Sequence, residues 1–209
     1  MSVLTLGQTA GILGRKGFTA STGAQITQAV RVFQDAYRLG NIALKVDGIV
    51  GPLTSTALLE SDRRLREGHA DAATHFSFDE FTCTCRGTHP GCRGILVAGA
   101  LIDGLSILRT VHYPDGLHVI SAYRCPAKNA AVEGAQSSMH LYGAAADIAP
   151  RVSTAAVRKL GVFSGIGTNQ RSGKVSHVDA RGVARATAPR PPNATGATLR
   201  IPTLWNYPR

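Results

Sequence analysis

Seven positions separate His140 from Asp147 in the stretch SSMHLYGAAADI, residues 137 to 148, and that spacing restricts what the chain can build there. In a regular helix, rising 1.5 Å per residue, the two side chains would share a face but stand roughly 10 Å apart. A zinc ion holds its nitrogen and oxygen ligands at about 2.0 to 2.2 Å. Both residues can serve one metal only if the chain turns between them. Gly143 offers that turn, and Ala144, Ala145 and Ala146 are small enough for a following strand to lie close to the site. The expectation is therefore a helix-loop-strand shape; a continuous helix would leave two separate polar residues.

A further ligand is available in VSHVD, which reads as a strand with His177 and Asp179 on one face. Two histidines and a carboxylate leave a fourth zinc position open to water, as in catalytic rather than structural sites. Such a water loses a proton near neutrality and can attack a carbonyl.

With 209 residues, 44% hydrophobic and 17% charged, the chain can bury a core in one or two globular domains. Its net charge of +10 is compatible with nucleic acid, an anionic surface or an acidic polymer as partner. No helix-turn-helix, zinc-finger pair or RNA-binding aromatic signature accompanies the charge, so nucleic acid is not the expected partner. The apolar runs are too short to span a bilayer and no export signal is evident, so synthesis in the cytoplasm without stable membrane insertion is expected. Cysteines fall at 83, 85, 92 and 125. Buried thiols, one or two bridges, and a structural zinc all remain open, since CTC is not the usual two-residue zinc spacing. Cys125 is expected near the 83 to 92 cluster, tying its loop to the start of the second domain.

Along the chain, Ile26, Ala29, Val30, Phe33, Ala36 and Tyr37 recur at helical spacing. Asp47-Gly48 and Gly51-Pro52 then punctuate a loop, and Thr54 is placed to cap a second helix through Leu59. These residues resemble the small peptidoglycan-binding domain often attached to cell-wall hydrolases, with its "AV..FQ", "DG.VG" and "T...L" signature, across about residues 4 to 60. A generic three-helix packing unit would bury Phe33 and Leu58 equally well. Residues 61–75, charged and poor in large apolar side chains, read as a linker. From residue 76 a second domain is expected, with a helical stripe from Ile95 to Leu108, a strand around 117–122, a helix near 153–160 and the SHVDAR strand. The last residues, 188–209, belong to a basic, proline-rich tail expected to be extended on the surface.

Ser138-x-His140-x-x-Gly143-x-Ala145-x-Asp147, followed by His177-x-Asp179 and preceded by SAYRCPAKNAAVEGAQSSMH, resembles the zinc D-Ala-D-Ala carboxypeptidase and VanY-type family. That family includes phage L-alanyl-D-glutamate endopeptidases and shares a metal-site fold with lysostaphin-type peptidases and the hedgehog signalling domain. The resemblance spans about residues 76 to 183. It implies zinc as cofactor and His140, Asp147 and His177 as its ligands. It also implies that Arg124 pairs with a substrate carboxylate or a developing oxyanion, and that Ser138 bonds near the metal or substrate. Many relatives carry an acidic general base three positions before the last histidine; here that residue is Lys174. Asp179 is the expected base, with orientation of an imidazole as its rival role, and Glu133 is a lesser candidate. No G-x-S-x-G elbow supports serine chemistry, and Cys125 has no sequence-visible base.

The expected architecture is α+β: a helical bundle over 1–60, a linker over 61–75, a mixed α+β zinc peptidase domain with a central antiparallel sheet over 76–187, and the tail over 188–209. The expected activity is hydrolysis of a stem-peptide amide in peptidoglycan, L-Ala-D-Glu favoured over D-Ala-D-Ala. The expected setting is a monomeric phage endolysin reaching the cell wall after holin-type release. The alternative is a non-catalytic wall-binding or phage structural protein that keeps the fold.

Overall fold

The computed structural model describes residues 2–40, 42–169, 171–181 and 203–207. Three helices come first, α1 (Leu6–Arg15), α2 (Gly23–Ala36) and α3 (Pro52–Arg66). Thr5 and Thr22 each open a helix with a capping box, the threonine hydroxyl accepting from a glutamine amide three residues on. Each glutamine side chain in turn accepts from the threonine amide, so two otherwise unpaired donors are satisfied at each start. The apolar face expected on α2 is buried, from Ile26 through Phe33 to Ala36, with Tyr37 just beyond the last turn.

Thr54 does not cap α3. The helix starts earlier, at Pro52 after Gly51, because proline suits the first helical turn. Thr54 instead accepts from Gln34 Nε2 at 3.2 Å. Gln34 is itself buried and knits the intervening loop to α2. Its Oε1 accepts from the amides of Asp47 and Gly48 at 3.1 and 2.8 Å, and its Nε2 donates to Ile49 O at 3.0 Å. The FQ, DG and T positions of the sequence motif are thus one hydrogen-bonded unit.

Residues 61–75, expected to be a linker, are packed. α3 runs on to Arg66, and Ser61, Asp62, Asp71, Ala72 and Ala73 are buried. Asp71 is the joint: it takes the buried Lys16 ammonium at 2.6 Å and accepts from Phe78 N at 2.9 Å, while Ser61 donates to its carbonyl at 2.7 Å. Removing one partner of such a buried pair typically costs about 3–5 kcal/mol, so the segment is held as firmly as a core element. Sequence composition misses this because a short charged stretch looks the same whether its charges face water or each other. Phe33 stacks on Phe78 with ring centres 5.4 Å apart, and a continuous apolar core runs from the three helices into the rest of the chain.

The next helix, α4 (Gly99–His112), begins four residues later than its apolar stripe suggests. Ile95 pairs as an extended residue with Thr82, and the helix starts where Asp35 of α2 accepts from Gly99 N at 3.0 Å. A cap supplied by another helix leaves no local signal. α5 (Pro126–Ala131) and α6 (Thr154–Leu160) are short; Ser153 caps the second.

The strands are β1 (His118–Ser121), β2 (Ala145–Ser153), β3 (Gly165–Asn169), β4 (Lys174–Asp179) and β5 (Thr203–Tyr207), in spatial order β1-β2-β4-β3-β5. The first four pair antiparallel, as expected, while β5 adds parallel to β3, so the sheet is mixed. β5 also departs from the expectation of a surface tail. Residues 188–202 and 208–209 of that tail lie outside the described residues. Among the described residues no helix is long and apolar enough to cross a membrane.

The helix-loop-strand shape expected around His140 is present. Met139–Tyr142 form one 3-10 turn, Gly143 closes it in the left-handed conformation at φ 59°, and β2 starts two residues later. A Cβ on Gly143 would lie 2.1 Å from Leu96 O, so the position excludes any side chain on two grounds. Gly161 has a similar φ of 66° but open space around it. Gly161→Ala should therefore cost only about 1–2 kcal/mol, the left-handed penalty alone. Gly143→Ala should cost about 3 kcal/mol or more, lowering the melting temperature by roughly 6–12 °C, measurable by calorimetry of the two variants.

Candidate metal centre

The sheet brings the site residues together by register. Ser121 faces Asp147, Asp147 faces His177, His177 faces Gly167 and Gly167 faces Trp205, giving one row across all five strands. Opposed residues on paired strands point to the same side of the sheet. His140 reaches this row from the 3-10 turn.

Three ligand atoms converge. His140 Nε2 lies 3.2 Å from His177 Nδ1, and Asp147 Oδ1 lies 3.3 Å from the first and 2.9 Å from the second. A tetrahedral zinc with bonds of about 2.0 to 2.2 Å has ligand-to-ligand edges of about 3.3 to 3.6 Å. The three separations fall at or a few tenths of an ångström inside those edges, so a small spreading of the triangle would make it one face of such a coordination shell.

The outer partners select the tautomers. His140 Nδ1 donates to the carbonyl of Ala122 at 2.5 Å, which leaves Nε2 with its lone pair toward the triangle. His177 Nε2 faces Asp179 Oδ2 at 3.5 Å, which leaves Nδ1 toward the triangle. Arg124 Nη2 donates to Asp147 Oδ2, and its Nε donates to Ser121 Oγ at 3.0 Å. Each ligand is thus oriented by a hydrogen-bonded neighbour, the arrangement that tunes metal sites.

The electrostatics favour a cation. Burial opposes the charged form of Asp147, but hydrogen bonds from His140 and His177 outweigh it and hold the carboxyl well below the usual carboxylate range. Burial pushes His140 down, only partly offset by Asp147. Burial also acts to lower His177, yet the hydrogen bonds to Asp147 and Asp179 prevail and raise it. A divalent ion at the triangle would satisfy the same negative charge.

Two expected roles do not fit this geometry. Asp179, expected as general base, meets His177 on the nitrogen turned away from the triangle. It is fully buried and held by Arg181, whose Nη2 and Nε donate at 2.7 and 3.0 Å. Burial alone would raise Asp179, but the bonds from His177 and Arg181 lower it. Gly165, opposite Asp179 on β3, leaves the space its carboxylate fills; a Cβ there would lie 2.3 Å from Oδ2. Arg124, expected at the substrate, is buried with two of its nitrogens committed to Ser121 and Asp147. Ser138 begins the 3-10 turn, half-buried, its amide donating to Ala135 O at 3.0 Å. Lys174 is exposed at the start of β4, and Glu133 is exposed with φ 53°.

Trp205 was not anticipated. Its ring meets His177 edge-on at 5.2 Å, and Arg181 lies over it at 4.5 Å. Gly167, between Trp205 and His177 in the row, carries no side chain and so lets the two rings meet. The sequence signal for this was only two aromatics, Trp205 and Tyr207, in a basic tail, which do not say where the tail returns.

Residues 74–179 match the family model described as Peptidase M15, a span just over half of the chain that contains every residue of the triangle. The chain belongs to the peptidase M15 family. Peptidases of this family are zinc-dependent, and the triangle is a group suited to hold the ion. Membership implies a metallopeptidase and agrees with the α+β fold. A search of curated proteins finds no match to the chain.

In this M15 chain, Asp179→Asn and Arg124→Gln should each weaken zinc binding by about 10- to 100-fold, measured by competition with a chromophoric chelator. Undiminished zinc affinity in Asp179→Asn together with lost turnover would return Asp179 to proton transfer.

Proposed function

We propose that this M15 peptidase hydrolyses an amide bond in the stem peptide of peptidoglycan, in an endolysin-type lytic role. The observation that carries the reading is the triangle of His140 Nε2, Asp147 Oδ1 and His177 Nδ1, whose three atoms converge to within a few tenths of an ångström of the edges of a zinc shell. Zinc at such a site supplies an activated water and polarises the scissile carbonyl. The protein's own groups do the positioning. Ala122 O and Asp179 hold the two imidazoles in the tautomers that face the centre, and Arg124 fixes the Asp147 carboxylate from its outer oxygen. Ser138, two residues before His140 at the start of the turn, is proposed to hydrogen-bond substrate.

Peptidoglycan as partner is supported by the resemblance of the N-terminal helices to wall-binding modules and by the net charge of +10, which suits an anionic wall. Cleavage between L-Ala and D-Glu is favoured over removal of a terminal D-Ala. The committed guanidinium of Arg124 supports that preference, because a carboxypeptidase needs a cation free for the terminal carboxylate. A monomer acting on the wall after release from the cytoplasm completes the proposal.

A second reading has one observation in its favour. Lys174 stands where relatives place an acidic base, and Asp179 is turned from the centre, a pattern also suited to a wall-binding protein that keeps fold and metal without turnover.

Purified peptidoglycan incubated with the protein, with and without a zinc chelator, and analysed by mass spectrometry separates the two. New L-Ala carboxyl and D-Glu amino termini, lost with the chelator, are the expected result. Released D-Ala would indicate the carboxypeptidase. Intact peptidoglycan with folded, zinc-loaded protein would favour the binding reading.

A further inference from the structure

The four cysteines, which the reaction above does not use, meet at one point. Cys85 Sγ lies 3.4 Å from Cys83 Sγ, 3.4 Å from Cys92 Sγ and 3.7 Å from Cys125 Sγ, and all four sulfurs fall within 4.8 Å of one another. None is in a disulfide. A disulfide brings two sulfurs to about 2.0 Å and leaves other pairs apart. Here one sulfur is nearly equidistant from three others, the relation among the corners of a tetrahedron. Four thiolates around one zinc at about 2.3 Å stand about 3.8 Å from each other, close to the observed separations. A cluster of several irons would need its ligands spread around a larger body; a 4.8 Å span suits a single ion.

The backbone is shaped for this convergence. Between Cys83 and Cys92 the chain turns back on itself. Arg86 N donates to Cys83 O at 2.7 Å, Thr88 N to Cys85 O at 3.0 Å and Cys92 N to His89 O at 3.1 Å. Cys83 N then closes the loop on Gly94 O at 2.8 Å. Arg86, Gly87, Gly91 and Gly94 all have φ between 48° and 81°, so the reversal is built from left-handed residues that glycine supplies at least cost. Cys125 arrives from beyond β1, and its amide donates to Cys83 Sγ at 3.4 Å, as to a thiolate acceptor. Cys83 and Cys125 are fully buried, Cys92 nearly so, and Cys85 is half-buried.

We propose that Cys83, Cys85, Cys92 and Cys125 bind a second zinc ion in a closed, structural tetrathiolate site, separate from the His140, Asp147 and His177 centre. Four protein ligands leave no position for water, so the site performs no hydrolysis. Its binding displaces thiol protons and ties the 83–94 loop to the segment carrying Arg124, the neighbour of Cys125. The same loop is anchored to the N-terminal helices, since Thr19 N donates to Arg93 O and Thr19 Oγ1 to Cys92 O, both at 3.2 Å. The ion therefore sits where three parts of the chain meet.

The test uses the full chain purified without added metal or reductant, alongside Cys85→Ser and a His140→Ala/His177→Ala double variant that removes the other centre. Elemental analysis should find about two zinc ions in the wild type, one in the double variant and one in Cys85→Ser. The double variant loaded with cobalt should show thiolate-to-cobalt charge-transfer absorption in the near ultraviolet, which decides the matter even where Cys85→Ser does not fold. After unfolding in chelator, all four thiols should react with an alkylating reagent without prior reduction. Disulfides in that assay, iron in place of zinc, or a folded double variant that binds no metal would overturn the proposal. None of these results bears on peptidoglycan cleavage, which is read separately.

Discussion

The pairing of Asp147 with His177 across β2 and β4 is the constraint on which the centre depends. Side chains alternate faces along a strand, so a slip of one residue would carry one ligand to the opposite side of the sheet. Nothing in either strand alone prevents that slip. The register is held by what lies at its ends: the Gly143 turn, which delivers β2 at a set point after His140, and Ala144 to Ala146, all fully buried, which let the strand lie against its neighbours. Ala180 N donating to Ala144 O at 2.9 Å continues the pairing past the ligand row.

Five consecutive residues, Ser121 to Cys125, do much of the supporting work. Ser121 accepts from Arg124, Ala122 offers its carbonyl to His140, Arg124 holds Asp147, and Cys125 enters the thiol cluster. A short segment with so many partners cannot shift without moving two residues of the triangle at once. Tetrathiolate coordination at Cys125 would restrain it from the side away from the sheet. The N-terminal helices add to this through the loop at Thr19, which makes them part of the support.

Lys174 occupies the position where the resemblance to VanY-type peptidases implies an acidic base, and the geometry of Asp179 makes that residue more consequential. A carboxylate enclosed by His177, Arg181 and the bare edge of Gly165 is well placed to orient an imidazole and poorly placed to take a proton from water at the centre. β5 adds an aromatic wall beside His177, so the surroundings of the ligands are completed by residues far along the chain.

Much of this was legible locally. The spacing of His140, Gly143 and Asp147 required a turn followed by a strand if one metal was to be shared, the alternation in VSHVD placed His177 on a strand, and the face of α2 was readable from its apolar period. These features depend on backbone geometry within a few residues, and short-range sterics impose that geometry wherever the sequence occurs. What the tertiary structure decided involves partners distant in sequence. Lys16 meeting Asp71 turned an expected linker into a packed joint, Asp35 set where α4 begins, Asp179 found the far nitrogen of His177, and Trp205 returned to the sheet beside β3. The four cysteines belong to both kinds: their count and separations left bridges, thiols and metal open, and folding placed Cys125 among the other three. Sequence carries the chemistry of each group, but which groups face one another is set by register and packing, because a buried charge or thiol takes its character from the partner that replaces water.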